Sequence, residues 1–265
     1  MSVVIYNKDE IFRFSNVKCC GTVMHSHHYH SLFELYYLIG GKCNFFIDDK
    51  TYEVIEGDIV LIPAGVIHKT NYGMEEHARI VIECSSHFIP ESVKTTLGAM
   101  PYIYRNATAS RDVYTILKKI EEENHTSDEF TTDALYSLMK LLFFSIMRNK
   151  NNVGIAEPKN HMVERVAAYI KANYSTDISL SAMAKEHFVS PEHLSRTFKR
   201  ETGFGFNEFI TLVRLQQAET MLKAREGKSI SEIAYSCGFN DSNYFSDKFK
   251  RAYGVSPLAF SKKNK

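Results

Sequence analysis

The sequence has no Cys-x-x-Cys pair, no apolar run long enough to cross a bilayer, no charged-then-apolar leader and almost no net charge. Its five cysteines (Cys19, Cys20, Cys43, Cys84, Cys237) are odd in number and scattered, which argues against a disulfide framework and a cysteine-based zinc site and points to a reducing, cytoplasmic setting. Lys8, Asp9, Glu10 and Arg13 interrupt the first residues before any apolar run develops, so export is not expected. The greasiest stretch, residues 134–147 (ALYSLMKLLFFSIM), falls short of the ~20 residues a membrane span needs and contains Lys140. It reads as a buried helix, with no membrane partner. What is present is ordinary for a folded protein: 44% hydrophobic and 24% charged residues in 265, a length that favours two domains over one.

The net charge of +1 hides an asymmetry. Residues 1–160 hold 16 basic against 20 acidic side chains, whereas residues 161–265 hold 16 against 11. A basic segment beside an acidic one suggests a polyanionic partner for the basic part, although a solvated lysine-rich face has the same composition. From residue 3 to about 90, short β-rich runs alternate with turn signals: 35–39, 43–47 before Asp48-Asp49, 52–55, 59–62 before Pro63, and 80–83. Such spacing indicates an antiparallel barrel or jelly roll. Helices are expected at 111–123 and 131–149, the second apolar around most of its circumference and therefore in need of partners on more than one side. A second subunit and burial within one chain are equally open. Residues 151–160 are polar, carry Gly154 and Pro158, and read as a linker. The predicted fold class is thus α+β: a β-rich domain over 1–150 with two flanking helices, the linker, and an all-α domain over 161–265.

The basic half contains a repeat. FKRETGFGFNEF (198–209) returns as FKRAYGVSPLAF (249–260), and Leu180, Met183 and Ala184 are echoed by Ile230, Ile233 and Ala234. One supersecondary unit is used twice. Each copy has the pattern of a helix-turn-helix, the second helix capped by Ser190 with Pro191 following in the first copy and by Asp241 in the second. Leu194 and Phe198, then Phe245 and Phe249, face inward, leaving Glu192, Ser195, Arg196 and Lys199 in one helix and Ser242, Asn243, Ser246, Asp247 and Lys250 in the other on exposed or half-exposed faces. A helix over 207–223 separates the copies. Two such units can present their second helices to successive major grooves, ~34 Å apart on one face of B-DNA, with Lys and Arg neutralising phosphates and Asn, Ser and Arg reading base edges.

On the residues SPEHLSRTFKRETG (190–203), Arg214, Ala218 and Leu222, and ISEIAYSCGFNDSNYFSDKFKRAYGVSP (230–257), the last hundred residues resemble the AraC/XylS family of bacterial transcription regulators. The resemblance implies double-stranded DNA as partner, read by Glu192, Ser195 and Arg196 in the first recognition helix and by Ser242, Asn243, Ser246 and Asp247 in the second. It also implies a small-molecule effector, a homodimer held through the helix at 131–149, and RNA polymerase as partner where the regulator activates. Two positions depart from the family pattern. Asp247 stands where members usually carry Arg, and Phe260-Ser261 where an aromatic is usually followed by Arg. An Asp facing phosphate repels it, so Asp247 accepts from cytosine N4 or makes no contact.

Eight of the eleven histidines precede residue 160. The segment HSHHYHSLFE (25–34) and His68, which follows Gly57, Pro63 and Gly65, resemble the two cupin motifs, with His28, His30, Glu34 and His68 in the ligand positions. On a strand, residues two apart share a face, so His28 and His30 are expected to converge with His68. Three imidazoles and a carboxylate suit a first-row divalent metal. The blander use of the same groups is a pocket that binds an organic effector, sugar-like in the first instance, for which Glu34, Tyr36 and His68 are the leading residues; regulators of this family commonly resemble cupins without using a metal. His25 and His27 are read as loop residues, and His77, His87 and His125 are given no role. No catalytic residue is assigned. A cupin-type metalloenzyme using His28, His30, Glu34 and His68 is the alternative to the regulator, and it leaves the duplicated helix-turn-helix unexplained.

Overall fold

The computed structural model describes residues 2–7, 10–20, 30, 32–72, 76–97, 102–105, 111–126, 128–148, 161–224 and 227–263. The strands are β1 (Ser2–Asn7), β2 (Glu10–Cys20), β3 (Phe33–Gly40), β4 (Lys42–Ile47), β5 (Lys50–Ile55), β6 (Ile59–Ile62), β7 (His68–Asn71), β8 (Glu76–Cys84) and β9 (Ile103–Tyr104). They form two antiparallel sheets, one of six strands in the order β1-β2-β8-β3-β6-β9 and one of three in the order β5-β4-β7. The β4–β5 hairpin closes at Asp48, whose φ of 65° an Asp tolerates better than most residues.

Side-chain alternation along the strands sorts the apolar residues into layers. Tyr36, Leu38, Phe45, Ile47, Val54, Val60, Ile62 and Val81 fill a core shared by the two sheets. Leu35, Tyr37, Leu61, Ile80 and Ile82 point to the other face of the large sheet. There they meet Val93 of α1 (Glu91–Leu97), Val113, Leu117 and Ile120 of α2 (Arg111–Asn124), and Leu135, Met139, Leu142, Phe143 and Ile146 of α3 (Thr131–Arg148). Continuous burial of β6, all four of whose residues are buried, follows from this two-sided packing.

The remaining helices are α4 (His161–Asn173), α5 (Leu180–Glu186), α6 (Pro191–Thr202), α7 (Phe206–Ala224), α8 (Ile230–Ser236), α9 (Ser242–Tyr253) and α10 (Pro257–Lys263). Helices α5 and α6 are the first helix-turn-helix, α8 and α9 the second, and α7 runs between them. Val213 of α7 belongs to the core of the first unit, and Leu215, Ala218 and Leu222 to that of the second. One rigid helix therefore fixes both.

The first unit is not packed only on itself. Phe46 of β4 and Ile67 join its core, and the Phe46 ring meets Phe204 and Phe209 edge-on at 6.1 and 5.5 Å. Because Phe46 points away from the inter-sheet core, this face of the small sheet would otherwise be exposed. Burying an aromatic here contributes on the order of 3 kcal/mol. Polar contacts surround the apolar patch: Lys171 Nζ lies 2.6 Å from Asp48 Oδ1, and the Thr51 amide donates to Glu164 at 3.5 Å. Sequence reading treats the two halves as separate bodies joined by the linker. The linker at 151–160 lies outside the described residues, but the halves share a core.

Candidate functional site

Two constellations carry chemistry. The first is the exposed face of the two helix-turn-helix units. Ser190 caps α6 by accepting from the His193 amide at 3.2 Å, with Pro191 in the first turn and Gly203 closing the helix at φ 77°. Asp241 caps α9 in the same way, accepting from the Tyr244 amide at 2.6 Å, and Gly254 closes it at φ 75°. With Leu194, Phe198, Phe245 and Phe249 buried, helical periodicity turns Glu192, Arg196, Lys199, Asn243, Asp247 and Lys250 outward, exposed; Ser195, Ser242 and Ser246 are half-buried. The Ser246 hydroxyl donates to the Ser242 carbonyl at 2.8 Å, which leaves its oxygen free only to accept from a ligand. The two turns differ. Gly238 takes φ 85° in the second unit, whereas Phe188 takes φ 56° in the first with 96% of its surface exposed. Nothing in the structure explains a phenylalanine there.

The second constellation lies between the sheets. Glu34 sits near the start of β3, opposite Ile62 of β6 and Glu83 of β8, and is 1% exposed. His68 opens β7. His30 lies in no strand, so its convergence with His68 does not come from strand alternation; the chain ahead of β3 carries it there. His28, His25 and His27 lie outside the described residues. Among the described residues, His30, Glu34 and His68 bring their ligand atoms within 4.8 Å of one another. Each Nε2 is 3.3 Å from Glu34 Oε2, and the rings meet edge-on at 5.1 Å.

The other ring nitrogens settle the tautomers. His30 Nδ1 donates to the Leu32 carbonyl at 2.9 Å and His68 Nδ1 to the Val66 carbonyl at 2.8 Å, because a carbonyl can only accept. Both Nε2 atoms thus aim at one carboxylate oxygen, and lone pair facing lone pair is tolerable only with a positive charge between them, a proton or a metal ion. Burial works against the charged form of Glu34, yet the adjoining His68 and His30 outweigh it and hold the carboxyl far below the usual range. Burial likewise opposes charge on His30, and the hydrogen bond and charge of Glu34 overcome it, raising His30 above 6.5.

Tyr36, fully buried, extends this face along β3. Its hydroxyl lies 3.7 Å from Cys43 Sγ, and burial pushes the Cys43 thiol up to about 12, which removes it as a thiolate ligand at neutral pH. Sequence reasoning missed the groups beyond it. His77, given no role, is 2% exposed and stacks on Tyr72 at 3.7 Å, while the Arg79 guanidinium lies over the Tyr72 ring at 4.7 Å and donates to His77 Nε2 at 2.6 Å. No carboxylate lies within ion-pair distance of Arg79 among the described residues, and its Nε is buried without a partner there. The only signal in the sequence was alternation along β8, which puts His77 and Arg79 on the face of Val81.

Comparison with known proteins bears on both constellations. A family profile described as an AraC-like ligand binding domain matches residues 21–139, and one described as a helix-turn-helix domain matches residues 183–263. The transcriptional activator RhaR of Pectobacterium atrosepticum is 25% identical over 243 residues, 88% of this chain and 84% of that protein. The chain belongs to the AraC family of transcription regulators. The uncharacterized HTH-type transcriptional regulator YijO of Escherichia coli is 32% identical over 110 residues, 42% of this chain and 38% of that protein's length. The crystal structure of ToxT from Vibrio cholerae aligns over 97% of this chain and 98% of that chain with 18% identity and a TM-score of 0.40. As an AraC-family member the protein is a DNA-binding regulator with an amino-terminal ligand-binding domain, and the His30–Glu34–His68 cluster falls inside that domain. No helix among the described residues is long and apolar enough to cross a membrane.

Proposed function

We propose that α6 and α9 read two successive major-groove segments, with Glu192, Ser195 and Arg196 on one and Ser242, Asn243, Ser246 and Asp247 on the other, while Lys199 and Lys250 hold phosphates. The single observation that carries this is that the repeat leaves the same face of both second helices open to solvent while one helix, α7, fixes both units. Arg196→Ala should cost about 1–3 kcal/mol at one base position, and affinity should fall steeply with salt through counterion release. Salt-independent binding, or an Arg196→Ala protein with unaltered base preference, would contradict the assignment.

The effector, in this proposal, enters the inter-sheet region of a domain over 1–150 and meets His30, Glu34, Tyr36 and His68, with His28 nearby in sequence, and Tyr72 and Arg79 deeper along the face. Residues 151–160 connect it to a DNA-binding domain over 161–265. The outer stripe of α3, with Leu141 and Phe144 exposed, is the surface for a homodimer. We read the protein as a cytoplasmic regulator and not as an enzyme, since its relatives are regulators; RNA polymerase is a partner in the case of activation.

A second reading concerns the effector's class. The paired Nδ1–H donors to backbone carbonyls are the support that metal-binding histidines ordinarily have; each Nε2 lies 3.3 Å from Glu34 Oε2, the spacing of two tetrahedral ligands with bonds of about 2.0 Å, and the three ligand atoms lie within 4.8 Å of one another. His30, Glu34 and His68 would hold a first-row divalent ion that leaves one position open, and such an ion would supply the positive charge the three groups demand. Metal analysis of untagged protein, beside His68→Ala, tests it: about one ion per chain, lost in the variant, supports a metal effector, and none in either favours the organic one.

A further inference from the structure

The two helix-turn-helix units are copies, but their surroundings differ. The last turn of α6 is capped from the other half of the molecule: Lys69 Nζ donates to the Gly203 carbonyl at 2.6 Å, and Asn71 Nδ2 to the Arg200 carbonyl at 3.1 Å. These are among the carbonyls a helix end leaves without internal partners, and the lysine charge sits at the negative end of the helix dipole. Lys69 also lies over the Phe204 ring at 4.8 Å. The Lys69 stem crosses Gly203 so closely that a side chain there would collide with it, whereas a side chain at Gly254, the matching position of α9, would meet nothing within 4 Å.

Both donors stand on β7, and β7 opens with His68. The strand alternates: His68 and Thr70 are buried, His68 turned toward Glu34, and Lys69 and Asn71 turned toward α6. A second route begins at His30. Its carbonyl accepts from the Gly65 amide at 3.0 Å, and the Gly65 carbonyl accepts from Gln216 Nε2 of α7 at 2.6 Å. His68 is thus one residue from a hydrogen bond into α6, and His30 is one intervening glycine from a hydrogen bond to α7, the helix the two units share.

We infer that β7 forms a transmission that couples the state of the His30–Glu34–His68 cluster to the α6 end of the first helix-turn-helix, Lys69 and Asn71 acting as positioning residues for α6. This rests on reading the cluster as the sensor's responsive element. Two discrete arrangements of β7, one with the Lys69 cap made and one with it loosened, are the states that a ligand at the cluster selects between, and differential affinity for them supplies the coupling. The second unit, whose α9 end has no such cap among the described residues, is the constant anchor.

Hydrogen exchange on the full-length protein tests this without a ligand. Glu34→Gln, with His68→Gln as the substitute if the first does not fold, should speed exchange of amides 200–204 at least fivefold and leave 251–255 unchanged. Lys69→Met alone should speed the same amides, and Glu34→Gln added to it should change them no further. Equal effects in both units, no effect in the first unit of a folded variant, or full additivity with Lys69→Met would overturn the inference. Zn2+ titration of the wild-type protein, followed calorimetrically, reports separately on whether the cluster holds an ion. A failure of the metal reading therefore shows in the titration, and a failure of the coupling shows in the exchange.

Discussion

Glu34 is the residue on which the inter-sheet chemistry turns. Burying a carboxylate without compensation is costly, and here the compensation comes from imidazoles whose Nδ1 atoms are already committed to carbonyls. The signs of the two shifts fix the pH response. The raised pKa of His30 makes its contribution to stability complete below its ordinary value of 6.5 and lost as pH rises through the higher folded-state value. The lowered pKa of Glu34 makes its contribution complete above its ordinary 4.5 and lost only in strong acid. In metal-free protein an NMR titration of His30 should give a midpoint above 6.5, and Glu34→Gln should bring it down, since only the Glu83 charge and the Leu32 carbonyl then oppose burial; a midpoint insensitive to Glu34→Gln would contradict the pairing. At this scale the sequence was informative where chemistry is local. Motif spacing singled out His30, Glu34 and His68, and the cap residues Ser190 and Asp241 follow from helix-end chemistry. Arg79 and Tyr72 were illegible because nothing local distinguishes an inward arginine on a strand from an outward one.

At the scale of elements, the legible strands were those with strong alternation or continuous apolar runs, β3 to β6 and β8. Strand β7 (HKTN) has no apolar residue at all, so hydrophobic patterning could not find it; it is a strand because β4 offers it backbone partners from Asn44 to Ile47. The helix-turn-helix elements were legible because capping, glycine stops and inward phenylalanines agree. The matched stops allow a direct comparison. Gly203 and Gly254 share a left-handed backbone, which costs any other residue about 1–2 kcal/mol, but only Gly203 has Lys69 across it. Gly254→Ala should therefore lower stability by about 1 kcal/mol and Gly203→Ala by clearly more, as read from denaturant midpoints. Equal losses would mean that the Lys69 stem moves aside freely and that the contact between the halves at that point is loose.

For the molecule as a whole, charge asymmetry and the internal repeat revealed two halves with different tasks. What they could not reveal is that the halves share a core, since Phe46 and Ile67 read as ordinary strand and turn residues until Phe204 and Phe209 are placed against them. Contacts between residues so distant along the chain leave no periodic trace. The consequence is functional: a ligand-binding domain whose described residues join the core of the first helix-turn-helix unit and not that of the second can adjust the two unequally. The most direct test of the central claim is selection of binding sites from random duplex DNA by the wild-type protein, Arg196→Ala and Asn243→Ala. Two reading units held by one helix predict two boxes about one helical turn, ~10 base pairs, apart, with Arg196→Ala relaxing one box and Asn243→Ala the other. A single box, or the same positions relaxed by both substitutions, would contradict it.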